Sequence, residues 1–280
     1  MLAPSAGTLP PGHLLLEPYF FDVVQYGSYS NNGKLAPASH SNGYGNLTYL
    51  VYGLANRFSV GLIPTASYTT TTNAPSSSHI GFGDLGVLAQ YRLNLFRPGS
   101  WLPTTSIALQ ETLPTGKYDN LGSVPNDGIG GGVYSTKVSL YMQDYAWMRN
   151  GRILRVRLNL SDTFSGTANV NGVSVYGTAS GFQGTAKPGG SLSIDAAAEY
   201  SVTRNWVVAS DLVYGYSGTT LVSGNTGTTI LSDSHSLAFA PAVEYNWTSN
   251  SGILFGLRYF PTGRNSGATL SPAIAINMVR

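Results

Sequence analysis

Apolar side chains recur at every second position in several segments of this 280-residue chain, and the positions between them are small or polar. From Leu192 to Val202 the even-numbered positions are all apolar, whereas the odd-numbered positions include Asp195 and Glu199. Successive side chains of a β-strand point to opposite faces, so one face here is apolar and the other is too polar for a protein core. Such strands are typical of transmembrane β-barrels, in which lipid and lumen receive alternate residues.

The segment from Leu237 to Trp247 repeats this pattern, with Glu244 among the intervening polar positions. We expect the apolar face of these strands to contact lipid. The side chains predicted to do so are Leu192, Ile194, Leu237, Phe239, Phe255 and Leu257.

The composition suits a chain that is solvated on one strand face only. Asp, Glu, Lys and Arg make up 10% of the residues, compared with about 25% in ordinary soluble domains. The absence of cysteine excludes disulfides, thiolate catalysis and cysteine-ligated metals. The net charge is only +2 and no run of five basic residues occurs, which argues against a nucleic-acid partner.

Twelve segments have strand character, and none shows the helical period. Bacterial single-chain barrels require an even number of strands. We therefore predict an all-β fold, a closed antiparallel transmembrane β-barrel of about twelve strands. The predicted strands are Leu14–Tyr29, Leu47–Leu54, Phe58–Thr70, Phe82–Phe96, Thr104–Leu113, Val133–Trp147, Ile153–Phe164, Leu192–Val202, Trp206–Ser217, Ser236–Trp247, Ile253–Phe260 and Thr269–Val279.

Short and long connections alternate along the chain, which is the barrel convention of short periplasmic turns and long extracellular loops. Both termini then lie on the short-turn side. We predict that residues 1–12 form an extended N-terminal lead-in and that residues 13–280 form a single barrel domain. The predicted long loops are Ser30–Tyr44, Thr71–Ile80, Thr115–Gly131, Ser165–Gly190, Gly218–Ser234 and Thr262–Ala268.

Charged side chains of both signs fall on the inward face. Two interpretations stay open for them: a network that pairs across the lumen and only fills it, or opposed basic and acidic arcs that constrict a pore. The same alternation sends Glu111 outward near a long loop, unless a bulge turns it inward. The predicted pore-lining residues are Glu17, Asp84, Arg92, Lys137, Arg155, Arg157, Asp195, Glu199, Asp211, Glu244 and Arg258.

No catalytic or metal-binding constellation emerges. His40–Gly43 superficially resembles the His-x-Ser-Asn-Gly of outer-membrane phospholipase A, but adjacent His and Ser side chains would point to opposite faces of a strand. His13, His79 and His235 lack metal-ligand spacing, and the glycines of Gly81–Gly86 precede no helix, which excludes a phosphate loop. We expect no enzyme activity, no cofactor and no metal.

Several short motifs, in this order along the chain, are similar to those of the outer-membrane proteins named for the meta-pathway of phenol degradation. The motifs are Pro10–His13 followed by Glu17, Phe82–Gly86 leading into Gln90–Arg92, and Leu113–Asp119 followed by Gly128–Gly131. The resemblance covers nearly the whole chain and implies an outer-membrane transport barrel, sometimes encoded near aromatic catabolism, without catalytic residues. Arg280 departs from the aromatic residue that usually ends such chains, which leaves an atypical assembly signal or a trimmed C-terminus.

The sequence therefore predicts a channel in the outer membrane of a Gram-negative bacterium for passive uptake of small molecules, and the resemblance implies that these molecules are aromatic or otherwise apolar. The alternatives are a non-transporting barrel that presents its loops at the surface and, less favoured, an outer-membrane enzyme. Expected partners are outer-membrane lipid and lipopolysaccharide, the small-molecule solute, and the barrel-assembly machinery during biogenesis. An outer-membrane protein must be exported, so we expect that a signal peptide was removed and that Met1 does not belong to the exported chain.

Overall fold

A computed structural model describes residues 3–72 and 74–280, which contain eighteen β-strands, a 3-10 turn at Pro125–Asp127 and no α-helix. No helix in these ranges is long and apolar enough to cross a membrane. The strands are β1 (Leu14–Tyr29), β2 (Leu35–Ala55), β3 (Phe58–Ile63), β4 (Thr65–Thr71), β5 (Gly81–Phe82), β6 (Leu85–Asn94), β7 (Thr104–Leu113), β8 (Ser135–Trp147), β9 (Ile153–Ser165), β10 (Ala168–Asn171), β11 (Gln183–Lys187), β12 (Ser191–Ser201), β13 (Trp206–Ser217), β14 (Thr220–Gly224), β15 (Gly227–Leu231), β16 (Ser234–Thr248), β17 (Ser251–Arg264) and β18 (Ser266–Val279).

Fourteen of the strands form one antiparallel sheet that closes into a barrel of 12 wall strands, because β3 with β4 and β5 with β6 are each two parts of one wall strand. The first and last strands close the ring, since β1 pairs with β18 on one side and with β2 on the other. β3 ends where Pro64 has no amide hydrogen to donate. The prediction of a closed antiparallel barrel of about twelve strands is confirmed.

The alternation of the sequence is visible in the exposure of the side chains. On β12, Leu192 and Ile194 are 40% and 36% exposed, whereas Asp195 is 7% exposed. Phe239 on β16 and Phe255 on β17 are exposed in the same way. The apolar side chains therefore cover the outer surface of the barrel, in the phase that the sequence predicts.

Two of the predicted long loops are wrong. The segment Ser30–Tyr44 is mostly strand, because β2 begins at Leu35, and Thr262–Ala268 is a tight hairpin in which Asn265 alone joins β17 to β18. Asn265 adopts a φ of 49°, a left-handed conformation that asparagine tolerates. These strand ends carry small and polar residues on both faces, so the period-two signal is lost there although the backbone continues to pair.

A second, four-stranded sheet stands at the long-loop end of the barrel. Its strand order, β10-β11-β14-β15, repeats the barrel order of β9, β12, β13 and β16, from which these strands continue. One face of this cap sheet is buried, where Ala168, Val170 and Val222 pack with Val133 and Phe182. The four strands of the cap sheet thus lie within the predicted loops Ser165–Gly190 and Gly218–Ser234.

Candidate functional site

The N-terminal segment, defined here as residues 3–9, lies inside the barrel. Ala3 and Ala6 are almost completely buried. The amide of Ala3 donates a hydrogen bond to Asp211 Oδ1 at 2.9 Å, and the amide of Leu9 donates one to Ser59 Oγ at 3.0 Å. Because Asp211 and Ser59 belong to β13 and β3, the N-terminal segment contacts distant parts of the wall and occupies the lumen between them.

Wall side chains also satisfy the carbonyl groups of the N-terminal segment. Gln90 Nε2 donates to the carbonyl of Ser5 at 3.0 Å, and Asn159 Nδ2 donates to that of Pro4 at 3.0 Å. The Arg157 guanidinium donates to the Ala3 carbonyl, and the Ser106 hydroxyl donates to the Ala6 carbonyl. Buried backbone polar groups require such partners. The lumen is therefore built around this segment.

The local sequence explains why residues 3–12 do not add another strand to the barrel. Pro4, Pro10 and Pro11 lack the amide hydrogen that a strand ladder needs. The wall is also shaped to receive this stretch. A Cβ on Gly53 of β2 would lie 2.0 Å from the carbonyl oxygen of Pro10, so only glycine permits this close approach.

One side of the lumen is apolar. Ala6 packs in a cluster with Val51, Ile63, Leu88 and Tyr141, which lie on β2, β3, β6 and β8. Ala108 of β7 and the partly buried Leu9 complete the contact. Burial of these side chains stabilises the N-terminal segment in the barrel, since each buried methylene contributes about 0.8 kcal/mol.

The other side of the lumen is charged, and its charges pair. Glu199 on β12 forms ion pairs with Arg157, at 2.7 Å, and with Arg155, both on β9. Arg155 lies directly opposite Glu199 in the register of these two strands. This pairing therefore runs between neighbouring strands, and not across the lumen as expected for a network that only fills it. Asp195 and Asp211 are buried in the same region of the wall.

The remaining charges predicted to line the lumen have mostly local partners. Glu17 accepts a hydrogen bond from Tyr19 Oη at 3.2 Å, and Glu244 accepts one from Asn277 Nδ2 at 3.3 Å. Arg258 stacks 4.7 Å above the ring of Phe260. Arg92 donates to the carbonyl of Asn56 at 2.9 Å. The pore-lining role of these residues stays a prediction.

Asp84 and Lys137 differ from the others. The Asp84 carboxylate accepts hydrogen bonds from the amides of Gly116 and Gly131 at 2.9 and 2.7 Å, so it holds two glycine-rich turns of one loop together. The side chain of Lys137 on β8 takes part in no hydrogen bond or ion pair within the part of the chain that the structure describes. The alternation of the sequence predicts that Asp84 and Lys137 both face inward, but it does not predict that one is hydrogen-bonded to loop amides and the other has no partner among the described residues.

Glu111 lies on the outward face of β7, and no register shift occurs around it. Its carboxylate accepts a hydrogen bond from Thr136 Oγ1, on the neighbouring strand, at 2.6 Å. The bulge that would have turned Glu111 inward is therefore absent. A hydrogen-bonded carboxylate near the end of a strand costs less in lipid than one at the midplane.

Hydrogen bonds join the long loops to one another. Asp127 accepts hydrogen bonds from the amide and hydroxyl of Ser78 at 2.7 and 2.9 Å, which lowers the pKa of this carboxyl. Tyr176 donates to the carbonyl of Gly131, and burial raises the pKa of Tyr176 to about 12. The loops at this end therefore form a bonded layer next to the cap sheet.

Comparison with solved structures supports the fold. The chain aligns with the crystal structure of an outer-membrane channel from Pseudomonas putida F1 at a TM-score of 0.79 and 13% identity, over 100% of both chains. It aligns with the transport unit of the autotransporter AIDA-I from Escherichia coli at 0.54 and 10% identity, over 95% of this chain and 90% of that one. No protein-family model matches the chain, and no curated protein matches it.

Proposed function

We propose that this chain is an outer-membrane barrel that lets small aromatic or otherwise apolar molecules enter a Gram-negative cell passively. The observation that carries the proposal is a closed barrel whose lumen holds the N-terminal segment, with one apolar and one charged side. The likeness to an outer-membrane channel over the whole of both chains supports it. Lipopolysaccharide around the barrel and the barrel-assembly machinery during biogenesis belong to the same proposal.

The charges of the lumen favour apolar over hydrophilic solutes. Glu199 and the two arginines that contact it are already paired, and Asp211 is bonded to the N-terminal segment. A hydrophilic solute would have to displace these bonds, and breaking a buried pair costs about 3–5 kcal/mol. An apolar solute that displaces Ala6 and Leu9 from the side lined by Leu88 and Tyr141 leaves the ion pairs intact.

The test is entry of an apolar fluorescent probe, N-phenylnaphthylamine, into intact Escherichia coli cells, in which lipopolysaccharide otherwise slows its passage. Cells with the folded barrel should take up the probe faster than cells without it. A tryptophan at Ser193, which faces inward, should slow uptake, whereas a tryptophan at the neighbouring outward Ile194 should leave it unchanged. Equal uptake with and without the barrel would refute the proposal.

A second candidate is a barrel that presents surface structure and transports nothing. The cap sheet favours it, because its last strand, β15, is exposed along its whole length and Ile230 is 65% exposed. Such an edge can pair with a strand of another protein. Absence of probe entry and of ion conductance in planar bilayers, from well-folded protein, would favour this candidate.

A further inference from the structure

Three hydrogen-bond donors without protein partners stand side by side in the lumen. Gln110 on β7, Lys137 on β8 and Thr163 on β9 are direct neighbours in the strand register. All three belong to the inward face, since Ser106, Gln143 and Asn159 of the same strands and the same phase bond to the N-terminal segment. Within the described residues, none of their side chains takes part in a hydrogen bond or ion pair.

The donors lie beyond the reach of the N-terminal segment. On β8 and β9, contact with this segment reaches the level of Tyr141, whose register partner Asn159 bonds to the Pro4 carbonyl. Lys137 is two inward positions further toward the long-loop end, about 14 Å along the strand. The row therefore faces the part of the lumen between the N-terminal segment and the loops.

No carboxylate among the described residues forms an ion pair with Lys137, and the Asp84 carboxylate, which lies on the inward face at the same end of the barrel, is bonded to the amides of Gly116 and Gly131. Glu111 and Asp162, the acidic neighbours of Gln110 and Thr163 along their strands, point to the outer surface by the alternation of β7 and β9. The nearest inward acid on β12 is Asp195, which pairs in the register with Asn159. Asn159 lies two inward positions from Thr163, toward the short-turn end of β9. The inward residues around Lys137 are instead hydroxyls, among which Ser139 and Ser161 bond to each other at 2.8 Å.

We propose that Lys137, Gln110 and Thr163 form a binding site for the carboxylate group of a small organic acid with an apolar body. One ammonium and two neutral donors match a planar monoanion with two oxygen atoms. Leu88 lies beside Gln110 in the register and belongs to the apolar cluster around Ala6, so the donors stand next to the edge of an apolar surface.

This site deepens the proposed function, because it names organic carboxylates as one class of solute that the barrel receives, and it rests on that function for its physiological meaning. An unpaired lysine in a narrow lumen is costly unless water or an anion accompanies it. A carboxylate that binds there supplies the missing charge before it moves on.

The experiment measures binding directly, so it does not depend on an open pore. Saturation-transfer NMR on the full chain in deuterated detergent compares benzoate with its neutral counterpart benzyl alcohol. We expect Lys137→Met to weaken benzoate binding at least about tenfold, the loss of one charge-assisted hydrogen bond, and to leave benzyl alcohol unchanged. Lys137→Arg, which keeps the charge, should retain benzoate binding.

The matched control is Lys34→Met, which removes an exposed lysine from the β1–β2 hairpin and should leave benzoate binding unchanged. Heat-dependent mobility on gels verifies that each variant forms a barrel. Equal benzoate binding by wild type and Lys137→Met would overturn the proposal, as would displacement of benzoate by inorganic phosphate at equal concentration, which would show an unselective anion site. Probe entry into cells is measured separately, so failure of the proposed function and failure of this site are distinguishable.

Discussion

Replacement of Glu199 by glutamine should destabilise the barrel more than any other single change in the charged side of the lumen. Glu199 is 5% exposed and contacts two guanidinium groups, of which Arg157 is 8% exposed and Arg155 is 28% exposed. Removing one partner of a buried pair costs about 3–5 kcal/mol. Arg155 can turn partly to water, and the glutamine oxygen can accept one hydrogen bond from a guanidinium, so we expect a destabilisation of about 3 kcal/mol.

The measurement is urea unfolding of the barrel in phospholipid vesicles, followed by tryptophan fluorescence. With a denaturant slope of about 1–3 kcal/mol per molar urea, the midpoint should fall by about 1–3 M. Glu244→Gln is the matched control, because Glu244 has a single weaker bond to Asn277, and its midpoint should move by less than half as much. Equal shifts for the two variants would refute the idea that the arginines depend on Glu199.

Three further changes have defined outcomes. Deletion of residues 3–9 should raise single-channel conductance in planar bilayers, because the segment occupies the lumen; unchanged conductance would mean that another element blocks the path. Arg155→Ser combined with Arg157→Ser should shift ion preference toward cations, measured as a reversal potential, because the remaining lumen charge is more negative. The Ser78–Asp127 contact should persist above pH 3.8, the ordinary pKa of an aspartate carboxyl, and open as the pH falls through the lowered pKa of Asp127. A carboxyl with a depressed pKa stabilises the folded form only while it is ionised. The Ser78 amide resonance reports this step, and a midpoint at or above 3.8 would contradict it.

The sequence predicts the barrel well where the two strand faces differ. β12 has Leu192 and Ile194 on one face and Asp195 on the other, and its predicted phase matches the structure. The prediction fails in Ser30–Tyr44, where both faces are polar or small and periodicity carries no information. The alternation of apolar and polar residues therefore predicts the class of fold, whereas it does not predict where each strand ends on the long-loop side.

The site was only partly predictable, because its contacts join residues that are far apart in the chain. Arg155 and Glu199 are both inward by alternation, but their pairing depends on the register between β9 and β12, which alternation does not determine. Nothing in the spacing of Ala3 and Asp211, 208 positions apart, indicates that they bond. A stretch rich in proline and alanine is compatible with a tail outside the barrel as well as with one inside it.

The position of the N-terminal segment constrains the order in which the barrel can assemble. The ring closes only when β18 pairs with β1, and the N-terminal segment directly precedes β1. Its described side-chain partners lie on β3, β6, β7, β8, β9 and β13, so these strands can bind it while the sheet is still open at the β1 edge. If the N-terminal segment docks first, β16, β17 and β18 fold around an occupied interior. If the ring closes first, residues 3–9 must be threaded into the closed barrel from the short-turn side. The first order avoids leaving the backbone acceptors and buried guanidinium groups of the interior unsatisfied during closure.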